Sequence, residues 1–166
     1  KGTEVGDSIV EADWGEPAKQ MLDKARTAGV DLVLPTDFVV ATEIADDADT
    51  RIVGREEIPV GMMGLDIGPS TIELYKGDIA SARTIFWNGP MGVFEKKPFE
   101  TGTREIAVAV GRNNRAQSII GGGDSAAALR KFGLDDRVTF VSTGGGASMK
   151  LLEGAALPGV DALQDR

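Results

Sequence analysis

Two stretches of this chain repeat one pattern. Ile119-Ile120-Gly121-Gly122-Gly123-Asp124-Ser125 and Val141-Ser142-Thr143-Gly144-Gly145-Gly146-Ala147-Ser148 each read as a strand end, three glycines, small residues and a helix start. The second triplet begins 23 residues after the first, about one strand-plus-helix unit. Glycine lets backbone come close to a ligand, and a helix N-terminus offers free N–H groups and a partial positive charge. On adjacent parallel strands the two turns would share one sheet edge and form a cradle for a polyanion without any lysine. The plainer alternative is two tight strand-to-helix turns that use glycine for steric fit alone. Asp124 is open to two readings as well. It is an effective N-cap residue, and it is a hard carboxylate suited to the Mg²⁺ that accompanies phosphate ligands; the two are compatible.

A second signal is the loop Trp87-Asn88-Gly89-Pro90-Met91-Gly92-Val93-Phe94-Glu95. Long loops at the carboxyl edge of a parallel sheet tend to be functional. Its terminal acid can accept hydrogen bonds from vicinal sugar hydroxyls, as acids do in dinucleotide sites, or can be a solvated surface glutamate. Neither glycine turn fits the G-x-x-x-x-G-K-[ST] phosphate loop or the G-x-G-x-x-G dinucleotide fingerprint.

The elements that must position these residues follow from periodicity. Ala18, Met21, Leu22 and Ala25 recur at helical spacing, and Gly29 follows as a stop, so a helix is predicted over 16–28. Further helices are predicted from Pro69 to about 82, and over 101–112, 126–132 and 148–153; proline suits a first helical turn. Strands are predicted over 31–35, 38–41, 50–53, 62–66, 84–87, 118–120 and 138–141. The strands are apolar runs rather than alternating patterns, and they interleave with helices. The fold class is therefore α/β, a parallel sheet with helices on both faces.

Composition narrows the function. The 166 residues suit one domain with a real core, and 42% hydrophobic with 27% charged residues is ordinary globular usage. No apolar run approaches the ~20 residues of a membrane helix, and Lys1 opens a polar stretch with no signal-peptide core. Cysteine and histidine are both absent, which excludes disulfides, thiolate metal sites, Ser-His-Asp triads and histidine–metal centres within this chain. The cytoplasm is the expected compartment. A net charge of −8 speaks against nucleic acid as a partner. The lack of an initiator methionine leads us to expect a chain that begins inside a longer polypeptide.

Taken together, Gly64-Leu65-Asp66-Ile67-Gly68-Pro69, the 87–95 loop, Gly121-Gly122-Gly123-Asp124-Ser125 and the 142–148 turn resemble the phosphoglycerate kinases in order and spacing, as does the tail Leu157-Pro158-Gly159-Val160. The resemblance runs over essentially the whole chain. It implies the C-terminal, nucleotide-binding domain of a two-domain hinge enzyme that transfers a phosphoryl group between 1,3-bisphosphoglycerate and ADP. The implied fold is a three-layer, doubly wound, Rossmann-like parallel sheet, with 1–166 a single partial domain. The N-terminal domain that holds 3-phosphoglycerate would be absent, as would an upstream segment carrying nucleotide-domain lysines.

By the same resemblance, Gly61, Gly64 and Leu65 would line the adenine slot, Asn88 and Pro90 would border the nucleotide, and Glu95 would hold the ribose hydroxyls. Gly122, Gly123, Asp124 and Ser125 would meet the phosphates of ADP or ATP, with Asp124 towards Mg²⁺. Gly122, Gly123, Gly144 and Gly145 would surround the transferring group, and Thr143 would sit near the hinge. The full-length protein would be a monomer without membrane or nucleic-acid partners, and the fragment alone would be inactive. Ile44 stands where many members place an aromatic beside adenine. Two other functions compete: a non-catalytic binding module that kept the fold, and, less well supported, a dinucleotide-dependent oxidoreductase.

Overall fold

The structure is a computed structural model that describes residues 5–142 and 144–163. Its first helix, α1 (Gly15–Ala28), ends on Gly29 in a left-handed C-cap with φ 66°, as the 16–28 periodicity predicts. Three strands follow with no helix between them: β1 (Asp37–Ala41), β2 (Arg51–Gly54) and β3 (Met63–Ile67). They form an antiparallel sheet in the order β2-β1-β3. Then come α2 (Pro69–Ser81), β4 (Thr84–Asn88), α3 (Thr101–Arg112), β5 (Gln117–Gly121), α4 (Gly123–Phe132), β6 (Phe140–Ser142), α5 (Gly145–Leu152) and α6 (Pro158–Asp161). Here helices separate the strands, and β4-β5-β6 form a parallel sheet.

The α/β class and the helix-flanked parallel sheet are as expected. The expectation of parallel pairing throughout is corrected for β1–β3. The reason is connection length: strands joined by loops pair antiparallel, whereas parallel pairing needs a crossover, usually a helix. Residues 31–35, expected as a strand, form no ladder among the described residues. Val30, Leu32, Val33 and Leu34 stay 39–59% exposed, because an apolar run becomes a strand only when a neighbour supplies its hydrogen bonds.

The main core lies where helices cover the parallel sheet. Ile67, Ile72, Trp87, Ile106, Ala107, Val110, Ile120 and Leu129 pack together. Along α3 the buried positions Thr103, Ile106, Ala107 and Val110 follow the helical stripe of 3, 4 and 7 residues. Burying each large side chain contributes about 1.5–3 kcal/mol. By contrast, α1 buries no residue, and Met21 is half exposed.

The start of α2 is capped from outside its own sequence. Asp37, at the start of β1, accepts from the backbone N–H of Ser70 (2.9 Å) and Thr71 (2.8 Å) and from the Thr71 hydroxyl (2.6 Å). That places a carboxylate on the positive end of the helix and ties the antiparallel sheet to the helical layer.

Candidate functional site

The carboxyl ends of the three parallel strands stand abreast. Asn88 pairs with Gly121 across β4 and β5, and Gly121 with Ser142 across β5 and β6. The Gly122 N–H donates to the Ser142 carbonyl at 3.0 Å, so each glycine turn leaves its strand beside the other. Gly122 itself has φ 95° and ψ 148°, a conformation essentially closed to residues with a Cβ. A Cβ added at Gly145 would fall 2.6 Å from the Gly122 Cα and 3.1 Å from Asn88 Oδ1. The two turns therefore touch, and only glycine permits it.

Both turns open into helices. The first intrahelical bond of α4 runs from Ala126 N–H to Gly122 O (3.1 Å), and that of α5 from Ser148 N–H to Gly144 O (3.0 Å). The backbone N–H groups of Gly123, Asp124 and Ser125, and of Gly145, Gly146 and Ala147, precede those bonds and lack intrahelical acceptors. Asn88 adds its side-chain oxygen between the turns. Thr143, between the strand and the second triplet, lies outside the described residues.

Asp124 is not the N-cap. Gly122 occupies that position, and no side-chain capping bond is present. The reason is register: α4 begins at Gly123, which moves Asp124 into the first turn, with its carboxylate exposed. No hydrogen bond or ion pair of Asp124 occurs among the described residues, and they contain no cluster of three acids that could hold a metal unaided. A lone exposed carboxylate beside unpaired helix N–H groups has the chemistry for Mg²⁺, which binds through one or two carboxylates together with substrate phosphates. Ser125 is fully buried, and its hydroxyl oxygen accepts from the Gly89 N–H at 2.7 Å. It secures the neighbouring loop, so what it turns towards the turn is its backbone N–H.

The loop after β4 is pinned along its length. The Met91 and Gly92 N–H groups donate to the Thr103 hydroxyl (3.0 and 3.3 Å), and the Val93 N–H donates to Leu65 O (2.9 Å). Lys131 Nζ donates to Phe94 O at 2.6 Å. Phe94 is buried, Pro90 half-buried, and Glu95 is exposed with no hydrogen bond or ion pair among the described residues.

Asp66, 2% exposed, closes the arrangement: its carboxylate accepts from Ile67 N–H (2.9 Å) and Gly102 N–H (2.6 Å). Burial pushes its pKa up to about 6, while those two N–H bonds act in the opposite direction.

Leu65 thus sits beside the loop through its carbonyl, with its side chain in a small core with Ala41 and Phe99. Gly64 and Gly61 meet another segment: Gly64 N–H donates to Ser8 Oγ (3.0 Å) and Gly61 N–H to Asp7 Oδ1 (3.3 Å). No hydrogen bond among the described residues joins either to the glycine turns. Ile44 is 49% exposed. Thr103 and Lys131 carry no motif, and Asp66 lies in the 64–69 stretch without an assigned role. The one sequence signal among them was a lone acid, Asp66, inside an apolar strand.

Paired glycine turns, a carboxylate in the first turn of one following helix, and a pinned acidic loop meet at the carboxyl end of the parallel sheet of this α/β protein. The sequence model of the family described as phosphoglycerate kinase matches residues 1–155. The chain belongs to the phosphoglycerate kinase family. It is 53% identical over 167 aligned positions to a phosphoglycerate kinase of Chloroflexus aurantiacus, and 50% identical over 165 to one of Dictyoglomus turgidum. Each alignment covers 99% of this chain and 42% of the relative. The solved structure of phosphoglycerate kinase from Coxiella burnetii superposes with a TM-score of 0.91 at 42% identity, over 96% of this chain and 41% of that one. The chain thus spans about two-fifths of the length of the relatives it matches.

Proposed function

We propose that this chain is the nucleotide-binding part of a cytoplasmic phosphoglycerate kinase, binding Mg-ADP or Mg-ATP for phosphoryl transfer between 1,3-bisphosphoglycerate and ADP. The observation that carries the reading is the contact between the two glycine turns, Gly122 against Gly145, at the carboxyl ends of adjacent parallel strands. In a chain of net charge −8, an anionic ligand must be held by local dipoles. The N–H groups of Gly123, Asp124 and Ser125 and of Gly145, Gly146 and Ala147, which precede the first intrahelical bonds, supply them. Gly123 and the 144–145 pair face the transferring group, and the backbone offers fixed dipoles that need little reorganisation as charge moves.

Asp124 would hold Mg²⁺, which when bound neutralises charge on the phosphates. Glu95 would accept from the ribose hydroxyls, and Asn88 and Pro90 would border the sugar and phosphates. Gly61, Gly64 and Leu65 would line the adenine side. The 3-phosphoglycerate site and the cationic side chains that stabilise the moving group would lie in the rest of a monomeric enzyme, so the chain by itself would not turn over.

The test is thermal unfolding with and without ligand. A ligand that binds only the native state raises stability by mass action, by about 2.7 kcal/mol at a hundredfold excess over Kd. Mg-ADP should raise the melting temperature, and Mg²⁺ with free adenosine should not. An unchanged midpoint at millimolar Mg-ADP would overturn the nucleotide reading and favour a non-catalytic interaction module on the same fold.

A further inference from the structure

We infer that Lys131 is a positioning residue that fixes the Glu95 loop to the helix bearing the phosphate-facing turn, and so sets the ribose contact relative to the phosphate contacts. The inference rests on the nucleotide reading above and concerns what holds that site in register. Helix α4 touches the loop at two points. Near its start, Ser125 Oγ receives the Gly89 N–H at 2.7 Å. Near its end, Lys131 Nζ donates to Phe94 O at 2.6 Å, on the residue directly before Glu95. Six residues of helix separate the two points, roughly 9 Å at 1.5 Å per residue. The loop is strapped to one rigid element at both ends.

The same ammonium group pairs with Glu100 Oε2 at 2.8 Å, and Glu100 Oε1 receives Arg104 at 3.2 Å. The Glu100 side chain is only 16% exposed, so the lysine head is held by a partly desolvated acid at the start of α3. Lys131 also lies 5.7 Å from the Phe132 ring centre. The contacts of this one ammonium therefore span α4, the loop and the start of α3. Glu95 has no partner of its own among the described residues; its position is inherited from Phe94. Removing the Lys131 head frees the Phe94 carbonyl to water while leaving Gly122–Asp124 untouched.

The experiment titrates the 166-residue chain with ADP, 2′,3′-dideoxy-ADP and tripolyphosphate, each with Mg²⁺, by heat or NMR shift. In the wild type, ADP should bind about 10-fold tighter than its dideoxy analogue, the worth of charge-assisted bonds to a carboxylate. Lys131→Met should collapse that ratio to near one and leave the dideoxy analogue and tripolyphosphate within about twofold of wild type. Lys131→Arg, which still reaches Phe94 O and Glu100, should restore discrimination. Glu100→Gln, which loosens the lysine without touching it, should give an intermediate ratio and guards against a Lys131→Met chain that fails to fold. A Lys131→Met chain that keeps the wild-type ratio overturns the inference, as does one that loses affinity for all three ligands alike. A wild type that binds ADP without discriminating the sugar refutes the Glu95 reading itself, and the inference falls with it.

Discussion

Asp37 and Asp66 are both buried and both hydrogen-bonded to backbone N–H groups, yet their ionisation moves in opposite directions. Burial pushes each up; at Asp37 the Thr71 hydroxyl and the Ser70 and Thr71 N–H groups outweigh it and hold the carboxyl below its ordinary value. At Asp66 burial wins, and the pKa stands near 6. Linkage gives the signs. Asp37 contributes stability that is present above its ordinary pKa near 3.8 and lost as pH falls through the lower native value. Asp66 holds its proton longer in the native than in the unfolded chain, so its contribution falls as pH rises from about 4 to about 6. Asp66→Asn should flatten the decline in melting temperature over that window relative to wild type, and Asp37→Asn should flatten the loss below pH 4. Melting curves from pH 3 to 7 decide both.

At the site, Asp124→Asn should weaken Mg-ADP by roughly tenfold or more while leaving metal-free ADP bound as well or slightly better, since the lost charge repels bare phosphates. Equal losses with and without Mg²⁺ would assign Asp124 to the helix dipole alone. Glu95→Gln should cost affinity for ADP but not for its dideoxy analogue, because a neutral amide is the poorer acceptor; calorimetry with both ligands checks it.

The elements show why the turns could be recognised early and their contact could not. The residue pattern marks a strand-to-helix turn wherever three glycines interrupt an apolar run, because both flanking periods are visible. That the turns meet depends on β5 and β6 being neighbours, which is seen in the parallel ladder that pairs Gly121 with Ser142. Gly145→Ala would drive a methyl into the Gly122 backbone. Overpacking of this kind costs about 1–3 kcal/mol, and denaturant unfolding should show a loss of that size together with loss of nucleotide-induced stabilisation. Alanine at Gly146, where an added Cβ meets nothing within 4 Å, serves as the control and should change stability little.

At the scale of the whole molecule, apolar surface is left open on one side. β4 is the edge of its sheet; beside it a concavity of about 240 Å³ is lined by Ile79, Ile85, Trp87, Met91, Ile106 and Val110. With exposed Val30, Leu32 and Leu34, this open edge invites association. Sedimentation of the 166-residue chain should show mass increasing with concentration from micromolar upwards; a strict monomer at high concentration would mean the surface is tolerated. In the proposed reading a coupled assay with ATP and 3-phosphoglycerate should give no turnover, because positioning of the second substrate, worth up to ~7–11 kcal/mol of barrier, is missing. Rates near 1–100 s⁻¹, ordinary for kinases, would place the catalytic groups wrongly.

The amino-acid sequence by itself determined five of the six α-helices described, the α/β class, the two glycine turns, the acidic loop and the family, because each is a local pattern of period, glycine content or contiguous motif. The tertiary structure alone decided how the strands pair, which left 31–35 without a ladder and β1–β3 antiparallel. It also decided which side chains stand behind the site. Asp66, Thr103, Lys131 and Asp37 reach partners 36, 12, 37 and 34 residues away. No local pattern records such pairs, since a hydrogen bond across the fold depends on where packing brings two backbones, and one buried carboxylate reads in sequence like any other.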